Sequence, residues 1–232
     1  MTNYLQATRM LDYEQETIRE LIRRRGWDDM DNYHKILSIY NYVRDEIRFG
    51  YNSDDTIPAS KVLSDGYGQC NTKTTLLMAL LRAAGIPCRA HGFIIDKGLQ
   101  RGAMPEWVYK LSPADLLHSW AEVYYGGVWY DMEGIILDKP YLEKLQKSFA
   151  DCDGSFCGYG VSTDDLKNPP VDWNANSTYI QKNDIKRDLG VYDSPDDLFA
   201  RHAQQLSRTK KLFYRHIARH AMNRCVNRIR TS

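Results

Sequence analysis

The sequence lacks most of the features that would name a partner or a compartment directly. Net charge is almost absent, +1 over 232 residues, so the overall balance offers nothing to a polyanion such as nucleic acid. No apolar run is long enough for a membrane span or a signal peptide, and residues 1–12 mix polar and apolar side chains. These absences predict a cytoplasmic protein with no membrane and no nucleic-acid partner. Cysteine is scarce and odd in number: Cys70, Cys88, Cys152, Cys157 and Cys225 leave at least one thiol unpaired under any disulfide scheme, as suits a reducing compartment. Only Cys152 and Cys157 lie close together. No second Cys or His pair stands at ligand spacing from them, and His216 and His220, one helical turn apart, have no third ligand, so no zinc site is expected. Internal repeats and low-complexity tracts are also missing.

With 43% hydrophobic and 26% charged residues, the chain has the composition of a globular protein with a sizeable core. Apolar residues at Leu11, Ile18, Leu21 and Ile22, then at Ile36, Ile39, Val43 and Ile47, recur at helical spacing on either side of Gly26. A third helix should begin at Cys70 and end at Gly85, with Pro87 preventing its resumption, and 88–95 reads as a strand. Residues 98–114 read as a long loop able to cover a cleft, and 118–125 and 128–137 as two strands joined at Gly126-Gly127, a two-residue hairpin signal. The fold class is therefore α+β, helices first and antiparallel strands after. Beyond a short helix at 141–149 the chain turns loop-rich and ends in a helix spanning about 196–229, rich in Arg and Lys. Its rough stripe of Phe199, Leu206, Phe213, Ile217 and Val226 favours a packed helix with a solvated basic face over a nucleic-acid arm. Two regions result, a core at 1–140 and a C-terminal extension at 141–232 packed on it.

Cys70 is the most informative residue. It follows Tyr67-Gly68-Gln69 at the first turn of a helix, where unpaired backbone N–H groups and the positive end of the helix dipole favour a thiolate and can receive an oxyanion. A thiol nucleophile also needs a base and a third group that orients the base. His118 opens a strand downstream. If Gly126-Gly127 is the turn, Tyr125 pairs with Val128, Glu122 faces Asp131, Trp120 faces Glu133 and His118 faces Ile135, so His118, Glu133 and Asp131 share one face. Glu133 is then displaced about 7 Å along the strand from His118 and Asp131 about 13 Å, which favours Glu133 as the orienting acid unless a bulge shifts the register.

The segments Gly68-Gln69-Cys70, His118-Ser119-Trp120-Ala121-Glu122-Val123-Tyr124 and Trp129 through Glu133 resemble the transglutaminase-like superfamily of papain-like cysteine hydrolases and acyltransferases, much as found in bacteria. The likeness covers roughly residues 30–140. It implies a nucleophile helix packed on an antiparallel sheet, with helical extensions, and a Cys-His-acid triad of Cys70, His118 and an acid four positions after the strand tryptophan. The family usually has aspartate there; this chain has Glu133, with Asp131 the nearby residue of the usual type. It also implies an oxyanion hole made by the nucleophile's own N–H and an upstream aromatic or amide side chain, for which Tyr51 is the candidate. Phe49 cannot donate, and Tyr42 fits the core.

The expected activity is thiol-dependent acyl transfer from a peptide or amide substrate, with no cofactor and no metal. Hydrolysis is favoured because the resemblance implies many peptidases and amidases. Transfer to an amine, as in a protein-glutamine transamidase, is the alternative, and a non-catalytic binding module on the same fold is a third reading.

Overall fold

The computed structural model describes residues 2–202 and 207–231. Helices α1 (Glu16–Arg25) and α2 (Asn32–Asp45) bury Ile18, Leu21 and Ile22, and Ile36, Ile39 and Val43, of the stripes read from the sequence, while Leu11 and Ile47 are buried outside the helices; the side chain of Asp31 caps α2 by accepting from the His34 backbone N–H at 3.0 Å. Strand β1 (Arg48–Phe49), helix α3 (Ala59–Asp65) and strand β2 (Tyr67–Gly68) follow, with β1 and β2 paired in parallel. Helix α4 (Cys70–Ala83) starts directly after β2. It ends where Gly85 takes φ +80°, a left-handed conformation that lets its N–H return to the Arg82 carbonyl at 3.0 Å. Almost every residue of α4 from Asn71 to Arg82 is buried, because α1, α2, α3 and the sheet surround it.

The remaining elements are β3 (Cys88–Asp96), α5 (Glu106–Leu111), β4 (Asp115–Tyr125), β5 (Val128–Asp131), α6 (Lys139–Ser148), β6 (Phe156–Gly158), β7 (Val161–Thr163), β8 (Ile185–Tyr192), α7 (Pro195–His202), α8 (Arg208–Phe213) and α9 (Arg219–Thr231). Strands β5-β4-β3-β8 form one antiparallel sheet in that order, and β6 pairs with β7. One core joins α1 to α4 with the inner face of β3 and β4. A second gathers α6, α9 and the segment around Ala103 and Val108. The molecule is thus α+β, with α4, the helix that starts at Cys70, packed on an antiparallel sheet. The last third of the chain contributes an edge strand to that sheet through β8 and packs α9 on α6.

Three expectations change in the structure. The hairpin register is as counted, with Tyr125 opposite Val128 and Glu122 opposite Asp131, but β5 stops at Asp131. Beyond it the chain leaves β4, because Met132 bridges to Thr178 and the Glu133 N–H donates to the Thr178 carbonyl at 3.1 Å, so Glu133–Ile135 form a 3-10 turn and the pairs Trp120/Glu133 and His118/Ile135 do not occur. The segment 98–114 is not an open loop: a 3-10 turn and α5 fold it, with Leu99, Ala103 and Val108 buried. The C-terminal helix is broken into α7, α8, a π-helical turn at Tyr214–Ala218 and α9, with Ser207 capping α8. Leu206 lies outside the described residues; Phe199 and Val226 are buried, whereas Phe213 and Ile217 are exposed.

Two cations are entirely enclosed. Arg44 donates to the Val171 carbonyl at 2.8 Å, and Lys73, one turn into α4, donates through Nζ to the carbonyls of Arg44 at 3.0 Å and Ile136 at 3.1 Å. Burial is the largest influence on Lys73 and pushes its ammonium down to about 7, with Asp138 opposing. Between about pH 7 and pH 10.5 the folded lysine therefore holds fewer protons than the unfolded one, so its contribution to stability is full at the upper end of that window and is lost as pH falls to its lower end. We expect the stability difference between wild type and Lys73→Met, measured by urea denaturation, to move in favour of the wild type as pH rises from 7 to 10. A difference that stays flat with pH would show Lys73 to be charged throughout.

Candidate active site

The site is assembled where the first turn of α4 meets β4. The Gln69 backbone N–H donates to Thr72 Oγ1 at 3.1 Å, which closes the start of the helix. Two side chains of α4 then bind β4 on either side of His118: Asn71 Nδ2 donates to the Leu117 carbonyl at 3.1 Å, and Thr74 Oγ1 to the Ser119 carbonyl at 3.1 Å. Ser119 Oγ returns a bond to Asn71 Oδ1 at 2.9 Å. These buried contacts set Cys70, the residue before Asn71, against His118.

His118 is fully buried, and its Nε2 lies 2.8 Å from Glu133 Oε1. Its Nδ1 is enclosed without a partner that meets hydrogen-bond geometry, which leaves that nitrogen for the thiol. Burial acts most strongly on the ring and disfavours its charge, but Cys70 and then Glu133 outweigh it and push the imidazole up to about 10. The second oxygen of Glu133 accepts the backbone N–H groups of Ile180 and Gln181, both at 2.9 Å, so a carboxylate with no exposure has each oxygen engaged. Glu133 sits on its short turn because Gly134 packs closely against the side chains of Tyr40 and Thr178 and the backbone of Val171. A Cβ at Gly134 would stand 2.5 Å from Tyr40 Oη, 2.9 Å from Thr178 Cβ and 3.0 Å from Val171 Cα.

Asp131 goes elsewhere. Its Oδ1 accepts Trp120 Nε1 at 2.9 Å and its Oδ2 accepts the Tyr179 hydroxyl, and the Trp120 ring lies 5.9 Å from that of His118. Asp131 thus touches the indole beside His118 and not His118 itself. Tyr51 lines the same cavity as Cys70, and its hydroxyl donates to Gln100 Oε1 at 2.5 Å; Phe49 and Tyr42 are core residues. The cavity holds about 310 Å³ and is bounded by Tyr51, Asp55, Gln69, Cys70, Gln100 and Tyr214 among others. Three contributors were not legible beforehand. The N–H groups of Ile180 and Gln181 carry no residue-type signal, and Tyr214 reaches the cavity from the C-terminal π turn.

Among the described residues, the group with metal-ligand spacing is His91, Glu122 and Asp131, whose ligand atoms lie within 4.8 Å of one another. Each is already engaged: His91 lies 2.7 Å from Glu122 and 2.9 Å from Asp188, Glu122 also binds Arg89, and Asp131 holds Trp120. Cys157 donates to Asp184 at 3.2 Å. No described helix is long and apolar enough to cross a membrane.

A family model described as the transglutaminase-like superfamily matches residues 21–134. No curated protein sequence matches the chain. Six solved chains match, among them a structure from Cytophaga hutchinsonii named "a Putative Cysteine Protease", 15% identical with a TM-score of 0.48. That alignment covers 84% of this chain and 48% of the other, so this chain spans about half the length of that structure.

Two outcomes follow from the geometry. A brief iodoacetamide pulse near neutral pH, mapped by mass spectrometry, should modify Cys70 first: burial raises the Cys88 thiol to about 11 and raises Cys225 as well, and partial desolvation together with the Asp184 carboxylate it bonds raises Cys157 to about 11. Faster modification of the part-exposed Cys152 or the exposed Cys157 would remove the basis for treating Cys70 as special. Gly134→Ala should lower stability by about 1–3 kcal/mol in thermal or urea melts, because the methyl group has nowhere to go. A melt like that of the wild type would show that the turn carrying Glu133 yields freely.

Proposed function

Since residues 21–134 form a core of the transglutaminase-like superfamily, we propose that this protein is a cysteine peptidase or amidase whose working residues are Cys70, His118 and Glu133. The observation that carries the reading is the buried chain of contacts in which Glu133 holds His118 Nε2 at 2.8 Å while Nδ1 is left for Cys70.

In this reading the Cys70 thiolate attacks the carbonyl carbon of an amide, and His118 carries the proton taken from the thiol. The tetrahedral oxyanion is received by the backbone N–H of Cys70 at the start of α4, with Tyr51 as second donor once its hydroxyl turns from Gln100. The C–N bond breaks as Nδ1 of His118 gives its proton to the departing amine, leaving a thioester on Cys70. Water then attacks the thioester carbonyl, His118 takes a proton from that water, the C–S bond breaks, and the carboxylic acid leaves with the thiol restored. Glu133 does not exchange protons. It fixes the ring's orientation and stabilises the imidazolium, and the N–H groups of Ile180 and Gln181 hold its own charge in place. Asp131 acts through Trp120 and is a positioning residue.

Hydrolysis and transfer to an amine share every step up to the thioester. Screening glutamine-containing and peptidoglycan-like amides with and without a primary amine separates them by product. On any amide that is turned over, Glu133→Gln should lower kcat by about 10²–10⁴-fold with little loss of stability, since the shape is kept and the charge removed. Asp131→Asn should be much milder. Because Glu133 helps raise His118 toward about 10, the alkaline limb of the wild-type kcat/KM profile should lie near that pH and move lower in Glu133→Gln. Severe loss in Asp131→Asn with near-normal Glu133→Gln would overturn the assignment.

A further inference from the structure

The cavity beside Cys70 contains a charge that the reaction does not use. Asp54 and Asp55, from the loop between β1 and α3, form one wall, and Lys97, Lys211 and Arg215 line another part. Asp55 Oδ1 accepts from Gln69 Nε2 at 2.5 Å, and Asn71 also hydrogen-bonds its carboxylate. Gln69 and Asn71 are the residues immediately before and after Cys70. Asp55 is therefore held by both chain neighbours of the nucleophile, on the inside of the cavity that the nucleophile faces.

This carboxylate has no cation. No described lysine, arginine or histidine forms an ion pair with Asp55, and the charge whose field acts on it is that of a second acid, Asp54. Burial is the largest influence and raises the carboxyl above its usual range, with the bonds from Gln69 and Asn71 opposing. Lys97 is turned away, its Nζ donating to the carbonyls of Tyr109 at 3.2 Å and Ser112 at 3.0 Å. A half-buried anion on a cavity wall, without a countercharge, gains from any cation that enters with matching geometry, and a cavity whose walls differ in sign orients a charged guest.

We infer that Asp55 selects substrates that place a primary ammonium group in the Cys70 cavity, either on the acyl group next to the reacting carbonyl or on the amine that accepts the acyl group. This rests on the reading of Cys70 as the nucleophile. The competing account is that Asp55 only props Gln69.

Charge-tagged thiol reagents test it without knowledge of the substrate. Methanethiosulfonates transfer their S-alkyl group to a thiolate, forming a disulfide and releasing methanesulfinate, and they come in matched ammonium, sulfonate and neutral forms. We expect the ratio of Cys70 modification rates, ammonium over neutral, to fall about tenfold in Asp55→Asn, and the sulfonate-over-neutral ratio to rise. Asparagine keeps an oxygen for Gln69, and the ratio cancels any general change in Cys70, so a prop alone would leave both ratios unmoved and overturn the inference. Failure of the neutral reagent to modify Cys70 ahead of the other thiols would instead overturn the nucleophile reading. Paired aminoacyl anilides with free and acetylated α-amino groups, and a glutaminyl peptide with and without methylamine, then distinguish the two sources. Asp55-dependent preference for the free amine places the ammonium on the acyl side, and Asp55-dependent methylamine incorporation places it on the acceptor side. Preference in neither arm would overturn the inference.

Discussion

The polar clamp between the first turns of α4 and the middle of β4 is the constraint on which the site depends. Asn71 and Thr74 bind the carbonyls of Leu117 and Ser119, the residues that flank His118, and Ser119 closes the loop back to Asn71. Such bonds contribute little net stability in water-exposed settings, but a buried donor or acceptor left unmade is expensive, so the helix has one position at which all are satisfied. That position puts Cys70 beside His118. Apolar packing alone would allow α4 to slide along the sheet with modest loss, since its inward surface is largely Leu, Ala and Met. The polar contacts supply the register that the core does not.

The same logic extends outward through groups that carry charge without exposure. Glu133 is tolerable inside the protein because His118 takes one oxygen and two backbone N–H groups take the other. Lys73 ties α4 to the carbonyl of Ile136, just past the turn that carries Glu133, and to the end of α2. Asp138 accepts the Phe49 N–H at 2.8 Å and pairs with Arg230 of α9, while Arg230 also donates to the Phe49 carbonyl at 2.9 Å. The C-terminal third is thereby bound to the surroundings of Cys70 and His118 by specific polar contacts: α9 through Arg230 and Asn223, and the segment before β8 through Ile180 and Gln181. Asn223 exchanges bonds with both backbone groups of Tyr51, the aromatic residue on the cavity wall.

Within this frame the acid wall of the cavity stands out against the rest of the interior. The buried carboxylates Glu122, Glu133 and Asp138 each meet a cation or an imidazole, whereas the half-buried Asp55 on the cavity wall is held by two amides beside another acid. An arrangement of that kind is stable when the missing charge arrives from outside, which is the physical content of assigning it to the substrate.

Helices α1, α2 and α4, with the start of α4 at Cys70 and its end at Gly85, and the hairpin at Gly126-Gly127 were legible in the sequence, because each rests on local chemistry: periodicity, caps and turn residues. Choosing between Glu133 and Asp131 was half legible. The register count favoured the residue that the structure sets against His118, but through an extended strand that does not exist: Glu133 arrives on a 3-10 turn made by Thr178, a partner 45 positions away in the chain. Periodicity could not show that the 98–114 segment folds into α5, or that the C-terminal helix breaks, since tertiary packing decides short helices of six residues or so. Nor could any residue type announce the backbone N–H groups of Ile180 and Gln181 or the isolation of Asp55. The sequence by itself determined which chemical groups are available and what local shape presents them. Tertiary structure alone decided which of them meet, because hydrogen bonds and charge balance across the interior depend on distances that the order of residues does not encode.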